Sequence, residues 1–169
     1  MPARPLVLYP DPRLRLPAPP VTSFDEALRA FAGDLLDTLL SVSALGLTGP
    51  HVGAPVRLTI IRAALDLAPR VYVNPELVFA SPETARHREG SVSMPGVDEE
   101  VERPARVRVR FCDLDGAAHE AEEEGFAAAC LQHEIDQLDG VFWIERLSRL
   151  KRERVLKRYA KAAATARRG

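Results

Sequence analysis

The sequence predicts an α+β domain, and three observations lead to that class. Apolar residues recur at helical spacing over residues 24–43 and again over 122–138, short β-type runs lie between them, and no linker-like stretch divides the chain. At 169 residues the chain reads as one domain, 1–169, with enough length for a single substantial core.

Taken in order, the lead segment from Pro2 to Pro20 is dense in proline, which fixes φ and removes backbone donors, so it reads as extended and turn-rich. A first helix follows over residues 24–43. Ser23 and Glu26 have the spacing of a capping box, and Phe24, Leu28, Phe31, Leu35 and Leu39 form one apolar face. Strands are expected at residues 56–61, 70–73 and 101–111. In the last of these Val107, Val109 and Phe111 alternate with Arg106, Arg108 and Arg110, the pattern of a sheet with one wet face. Acidic residues from Asp113 to Glu124 follow closely, so the arginines read as that solvated face and not as a nucleic-acid site. A second helix over 122–138 places Phe126, Cys130, His133 and Gln137 on a common stripe, and Asp139-Gly140 ends it. From Arg146 onward ten Lys or Arg side chains face the single acid Glu153, while Leu147, Leu150 and Leu156 offer an apolar edge to a basic C-terminal helical segment over about 146–169.

The formal charge of -1 implies no global attraction to nucleic acid or to a membrane. No apolar run approaches the roughly 20 residues that cross a bilayer, and the start lacks a basic-then-apolar leader, so a cytoplasmic protein without membrane association is expected. Cys112 in a strand and Cys130 in a helix read as two buried free thiols, not as a disulfide framework.

One helical motif carries chemistry. In Gln132-His133-Glu134-Ile135-Asp136-Gln137 the first histidine and the glutamate stand as in a helix that binds a metal through two histidines four residues apart, but Gln137 occupies the second position. Two further motifs precede it: Gly46-Leu47-Thr48-Gly49-Pro50-His51-Val52-Gly53 and Glu89-Gly90-Ser91-Val92-Ser93-Met94-Pro95-Gly96. With Tyr9-Pro10-Asp11-Pro12-Arg13 and Val73-Asn74-Pro75-Glu76, the whole resembles the peptide deformylases, metal-dependent hydrolases that remove the N-formyl group from the first methionine of new bacterial chains.

That resemblance implies small antiparallel or mixed β-sheets around a central helix, with an N-terminal and a C-terminal helix. It implies that His133 is a metal ligand, that Ser91 stands where family members have a cysteine ligand, that Gln137 replaces the second histidine ligand, and that Glu134 is the general base of an active member. It also implies that His51 replaces the glutamine steadying the developing oxyanion beside Gly49, and that Gly46, Leu47, Glu89, Gly90 and Val92 border the substrate cleft. A neutral serine hydroxyl and a neutral amide are poor substitutes for thiolate and imidazole. A degenerate protein with a retained cleft for a formyl-peptide or small-molecule ligand is therefore expected. No tightly bound cofactor is expected, and any ion would be a divalent metal (iron, zinc, nickel or cobalt) at a weakened site. Two alternatives stay open: an active hydrolase with a rearranged metal site using His51 and His133, and a Ser91–His133 nucleophile–base pair. The structural reading of His51 is a hydrogen bond within the pocket, that of Cys130 is packing, and His87 and His119 carry no assigned role. The basic C-terminal segment reads as a solvated amphipathic helix, and the resemblance implies as its alternative a ribosome contact through phosphate groups.

Overall fold

The computed structural model describes residues 3–64 and 67–168; Pro2, the first of the lead-segment prolines, and Gly169 lie outside them. The lead segment is extended, as its prolines dictate, apart from a short 3-10 turn at Pro12–Arg15 opened by the Asp11 side chain, which accepts the Arg13 N–H.

Helix α1 (Glu26–Ser41) buries Leu28, Leu35 and Leu39, with Phe24 and Phe31 packed at the margin of the same cluster. Its cap differs from the expected Ser23. Asp25 is extended at φ -117° one residue ahead of the helix, and its carboxylate accepts the Leu28 N–H at 3.0 Å. Aspartate caps as well as serine and here stands at the right position.

Among the described residues seven strands follow: β1 (Gly46–Thr48), β2 (Leu58–Ile61), β3 (Arg70–Ala80), β4 (Thr84–Ser91), β5 (Met94–Pro104), β6 (Arg106–Cys112) and β7 (Ala118–Glu124). They form an antiparallel five-stranded sheet in the order β1-β2-β3-β6-β7 and a separate β4-β5 hairpin. The run expected as one strand over 101–111 is two. Pro104 has no N–H to continue a ladder, and Ala105 instead donates to the Glu83 carbonyl at 2.8 Å. The wet face of β6 is as expected, with Arg108 and Arg110 paired to Glu122 and Glu120 on β7. Those glutamates belong to a strand and not to the start of the second helix.

Helix α2 (Gly125–Leu138) begins where Gly125 turns the chain out of β7 at φ 60°, a conformation that side-chain-bearing residues adopt rarely. It lies beneath the sheet, packing Ala128, Leu131 and Ile135 against Val107, Val109 and Phe111. Asp139-Gly140 ends it as a turn. Helix α3 (Arg149–Ala166) is capped by Ser148 and anchored by the fully buried Val155 against Met94, Val101 and Trp143. Leu147 and Leu156 join that cluster, but Leu150, expected on the apolar edge, is 59% exposed. Both cysteines are free and only partly buried, where full burial was expected. Among the described residues no helix is long and apolar enough to cross a membrane.

The cap assignment has a measurable consequence. Asp25→Ala is expected to lower the unfolding free energy by about 1 kcal/mol in urea titrations, whereas Ser23→Ala changes it by less than ~0.5 kcal/mol.

Candidate active site

Three segments converge on a cavity of about 350 Å³. The 3-10 turn Gly49–Val52 after β1 delivers His51, the end of β4 delivers Glu89, Gly90 and Ser91, and α2 delivers Cys130, His133 and Glu134. Gly46 and Val92 also line it, as the family resemblance implies. Apolar wall is added by Val42, Ala44, Leu45, Pro95 and Phe126, most of which the motifs do not single out. Phe126 was foreshadowed by its place on the α2 stripe and Pro95 by its place in the second motif.

Three expected site residues lie elsewhere. Leu47 is fully buried in the α1 cluster. Gly49 stands off the cavity, and a Cβ there would come within 2.4 Å of the Val56 carbonyl oxygen, so close backbone approach explains its lack of a side chain. Gln137 is 2% exposed but outside the cavity wall, its Nε2–H donating to the Leu14 carbonyl at 2.7 Å. Ser91 does line the cavity, yet its hydroxyl accepts the Ser93 N–H at 3.1 Å, and among the described residues no hydrogen bond joins it to His133. Among the described residues the alternative nucleophile–base contact is therefore not formed: Ser91 Oγ faces the Ser93 N–H, and His133 Nδ1 faces Glu89.

His133 is held by Glu89, with Nδ1 2.8 Å from Oε1. Glu89 is clamped from the other side by Arg103, Nε to Oε2 at 2.6 Å and Nη2 to Oε1 at 2.9 Å. Arg103 also donates to Asp136 at 2.8 Å, and Asp136 receives two bonds from Arg146 at 2.9 and 2.6 Å. Burial pushes the Glu89 carboxyl up, but the hydrogen bonds from His133 and Arg103 outweigh it and hold it at about 2. Ionised Glu89 must therefore accept, and His133 Nδ1 carries the proton between them. Burial opposes the charged form of His133, but Glu89 and Glu134 raise its pKa above the ordinary value. Nothing in the sequence marked Arg103 for the site, and Arg146 read only as the start of the basic C-terminal segment.

Glu134 is buried at the cavity wall. Burial pushes its carboxyl up to about 7, and its Oε2 has no hydrogen-bond partner among the described residues. A Cβ at Gly46 would lie 2.2 Å from Glu134 Oε1, so that glycine makes room for the carboxylate. His51 Nδ1 lies 3.0 Å from the Thr48 backbone N–H and 3.9 Å from Glu134 Oε2. The backbone N–H can only donate, so Nδ1 accepts and the neutral ring carries its proton on Nε2, which is buried without a partner among the described residues. Burial, assisted by the nearby charge of His133, lowers the His51 pKa to about 3 and keeps that ring neutral. Its contact with Glu134 is consequently no ion pair. Cys130 is pushed up to about 12, by burial first and then by Glu134 and Glu89, which makes it a packed thiol and not a thiolate.

A buried histidine and glutamate on a central helix, facing a glycine-rich turn and a Glu-Gly strand end inside an α+β fold, define a hydrolase-type cleft. The family described as polypeptide deformylase matches residues 3–153, and this chain belongs to it. A peptide deformylase-like protein of Bradyrhizobium diazoefficiens is 56% identical over 161 residues, covering 95% of each chain. The same strain also carries a protein named peptide deformylase, 42% identical over 177 residues, which covers 98% of this chain and 99% of its own length. A peptide deformylase structure from Legionella pneumophila superposes with a TM-score of 0.92 at 36% identity, covering 99% of both chains.

The family normally binds a divalent metal. Catalytic zinc-type sites use three protein ligands and leave a fourth position for water. Here the three family positions offer His133, a hydroxyl occupied by the Ser93 N–H and an amide turned to the Leu14 carbonyl, and this donor set does not match that requirement. Among the described residues no group of three or more His, Cys, Asp and Glu side chains is arranged to hold an ion.

Arg103→Met is expected to lower stability by about 3 kcal/mol in urea unfolding, because it removes the shared buried cation between two carboxylates and leaves Glu89 to His133 alone and Asp136 to Arg146 alone. Arg103→Lys is expected to recover only part of the loss, since an ammonium cannot reproduce the bidentate clamp.

Proposed function

We propose that this chain is a deformylase-family protein that no longer performs metal-dependent deformylation, and that its cleft is kept for binding a peptide N-terminus or a small apolar ligand. The observation that carries this reading is the engagement of the two substituted positions with the backbone: Ser91 with Ser93, and Gln137 with Leu14. Without a bound ion Glu134 has no metal-activated water to deprotonate. The cleft itself remains well formed, with a mostly apolar wall and a few buried polar groups, the composition of a small-ligand site. A cytoplasmic location belongs to the same reading, in keeping with two free thiols.

The rearranged-site alternative draws on the shared cavity of His51 and His133. It requires His51 to ligate through Nε2, hence to move its proton to Nδ1 and break the bond from Thr48. Elemental mass spectrometry on anaerobically purified protein, repeated after loading with iron, nickel, cobalt or zinc, separates the readings. Far less than one equivalent of metal, with no hydrolysis of formyl-methionyl peptides, is the expected result. One equivalent that is lost on His51→Ala would establish the rearranged site, and appreciable hydrolysis by metal-loaded protein would overturn the proposal.

We also propose a ribosome contact through α3. Arg154, Lys157 and Lys161 are exposed on one face, and none has an acidic partner among the described residues. Reversing these three charges to glutamate is expected to abolish salt-sensitive co-sedimentation with ribosomes. Truncation after Leu150 is a poorer test because it would strip Val155 and Tyr159 from the core. Absence of co-sedimentation by the unmodified protein at low salt would remove the idea.

A further inference from the structure

One carboxylate of the cavity is left unanswered by its surroundings. Glu134 lines the cavity at 5% exposure, and its Oε2 is buried without a hydrogen-bond partner among the described residues. No lysine or arginine among those residues pairs with it, and its contact with His51 at 3.9 Å is to a neutral ring. Gly46 adds no side chain on that side, since a Cβ there would fall 2.2 Å from Glu134 Oε1.

The neighbouring cations are directed elsewhere. His133 turns Nδ1 to Glu89 at 2.8 Å, and Arg103 donates to Glu89 and Asp136. Arg88, which also lines the cavity, is paired with Asp98. The fold therefore holds each of these charges against a carboxylate and leaves Glu134 without one.

An unpaired carboxylate is costly to bury, and a cation that also donates hydrogen bonds to it offsets that cost. A primary ammonium meets both needs in the smallest space, with a full charge and three donors on one atom. The rest of the wall suits what would carry that group: Val42, Ala44, Leu45, Val92 and Phe126 accept an apolar chain, in a cavity of about 350 Å³. A formyl or acetyl block converts the ammonium to a neutral amide with one N–H, and Glu134 then loses its counter-charge.

We propose that the cleft binds a primary ammonium borne on a short apolar group, with Glu134 as its counter-ion. That is the chemistry of an unblocked peptide N-terminus with an apolar first residue, and also of a small aliphatic amine. The inference deepens the proposed function and rests on its reading that the cleft binds a ligand without a tightly held ion. It adds a direction of selectivity: the free terminus is taken and the formylated one refused.

Calorimetric titration of the unmodified protein with the tripeptide Met-Ala-Ala, its N-formyl form and pentylamine tests this. Met-Ala-Ala is expected to bind at least ~10-fold more tightly than the formylated peptide, the scale of a buried charge pair that loses one partner. Glu134→Gln keeps the shape and removes the charge, and is expected to erase that difference. Gly46→Ala crowds the carboxylate and is expected to weaken Met-Ala-Ala more than its formylated form. Should either variant fail to fold, the comparison of ligands on the unmodified protein decides by itself. Weaker binding of pentylamine than of Met-Ala-Ala is expected for a peptide N-terminus, while equal or tighter binding assigns the same ammonium site to a small amine. Equal or tighter binding of the formylated peptide, a preference that survives in Glu134→Gln, or no binding of either amine would overturn the inference. Formate release, or one equivalent of metal in the same sample, would instead count against the proposed function, so the two failures are distinguishable.

Discussion

The buried chain of charges running His133–Glu89–Arg103–Asp136–Arg146 is the constraint on which the rest of the site depends. It joins the end of β4, the end of β5, the middle of α2 and the turn before α3. Burying such groups is costly, and the cost is offset only when every member has partners of good geometry. Arg103 satisfies two carboxylates at once, and Asp136 receives two arginines. Its hydrogen bonds are directional, so together with the Gln132 bond to the Pro104 carbonyl the network fixes how the hairpin sits on the helix.

Helix α2 divides its labour by face. One side carries Ala128, Leu131 and Ile135 into the sheet, where close packing sets the helix at one depth. The other side carries His133, Glu134, Asp136 and Gln137, all buried. Three of these have strong partners, and Glu134 is the exception, with an unpartnered oxygen and a raised pKa. Burying a carboxyl in that state opposes folding stability, and the missing side chain at Gly46 is what gives it room.

Most of the architecture was legible in the chain because it follows from local rules. Helical periodicity located α1 and α2, alternation located β6, and the prolines announced the lead segment. What escaped has physical reasons. Strand β4 belongs to a two-stranded hairpin with little burial and so shows no apolar alternation, while the acidic β7 lies at a sheet edge and reads as polar coil or helix. Residues 101–111 looked continuous because both halves are strand, and only Pro104 marks the break. In the site, motif resemblance found His133, Glu134, Glu89, Ser91 and His51. It could not reveal that Gln137 faces Leu14, because a side chain's direction depends on a partner 123 residues away.

The pairing of β6 with β7 matters for a different reason. Arg106, Arg108 and Arg110 stand opposite Glu124, Glu122 and Glu120 in consecutive register. A slip by one residue would turn every side chain of β7 to the other face and break up this ladder of opposite charges, so the ladder acts as a ruler for strand alignment. It also leaves a band of carboxylates along the free edge of the five-stranded sheet. An incoming strand would have to approach that band, which makes the acidic edge a guard against the edge-to-edge association that open sheets invite.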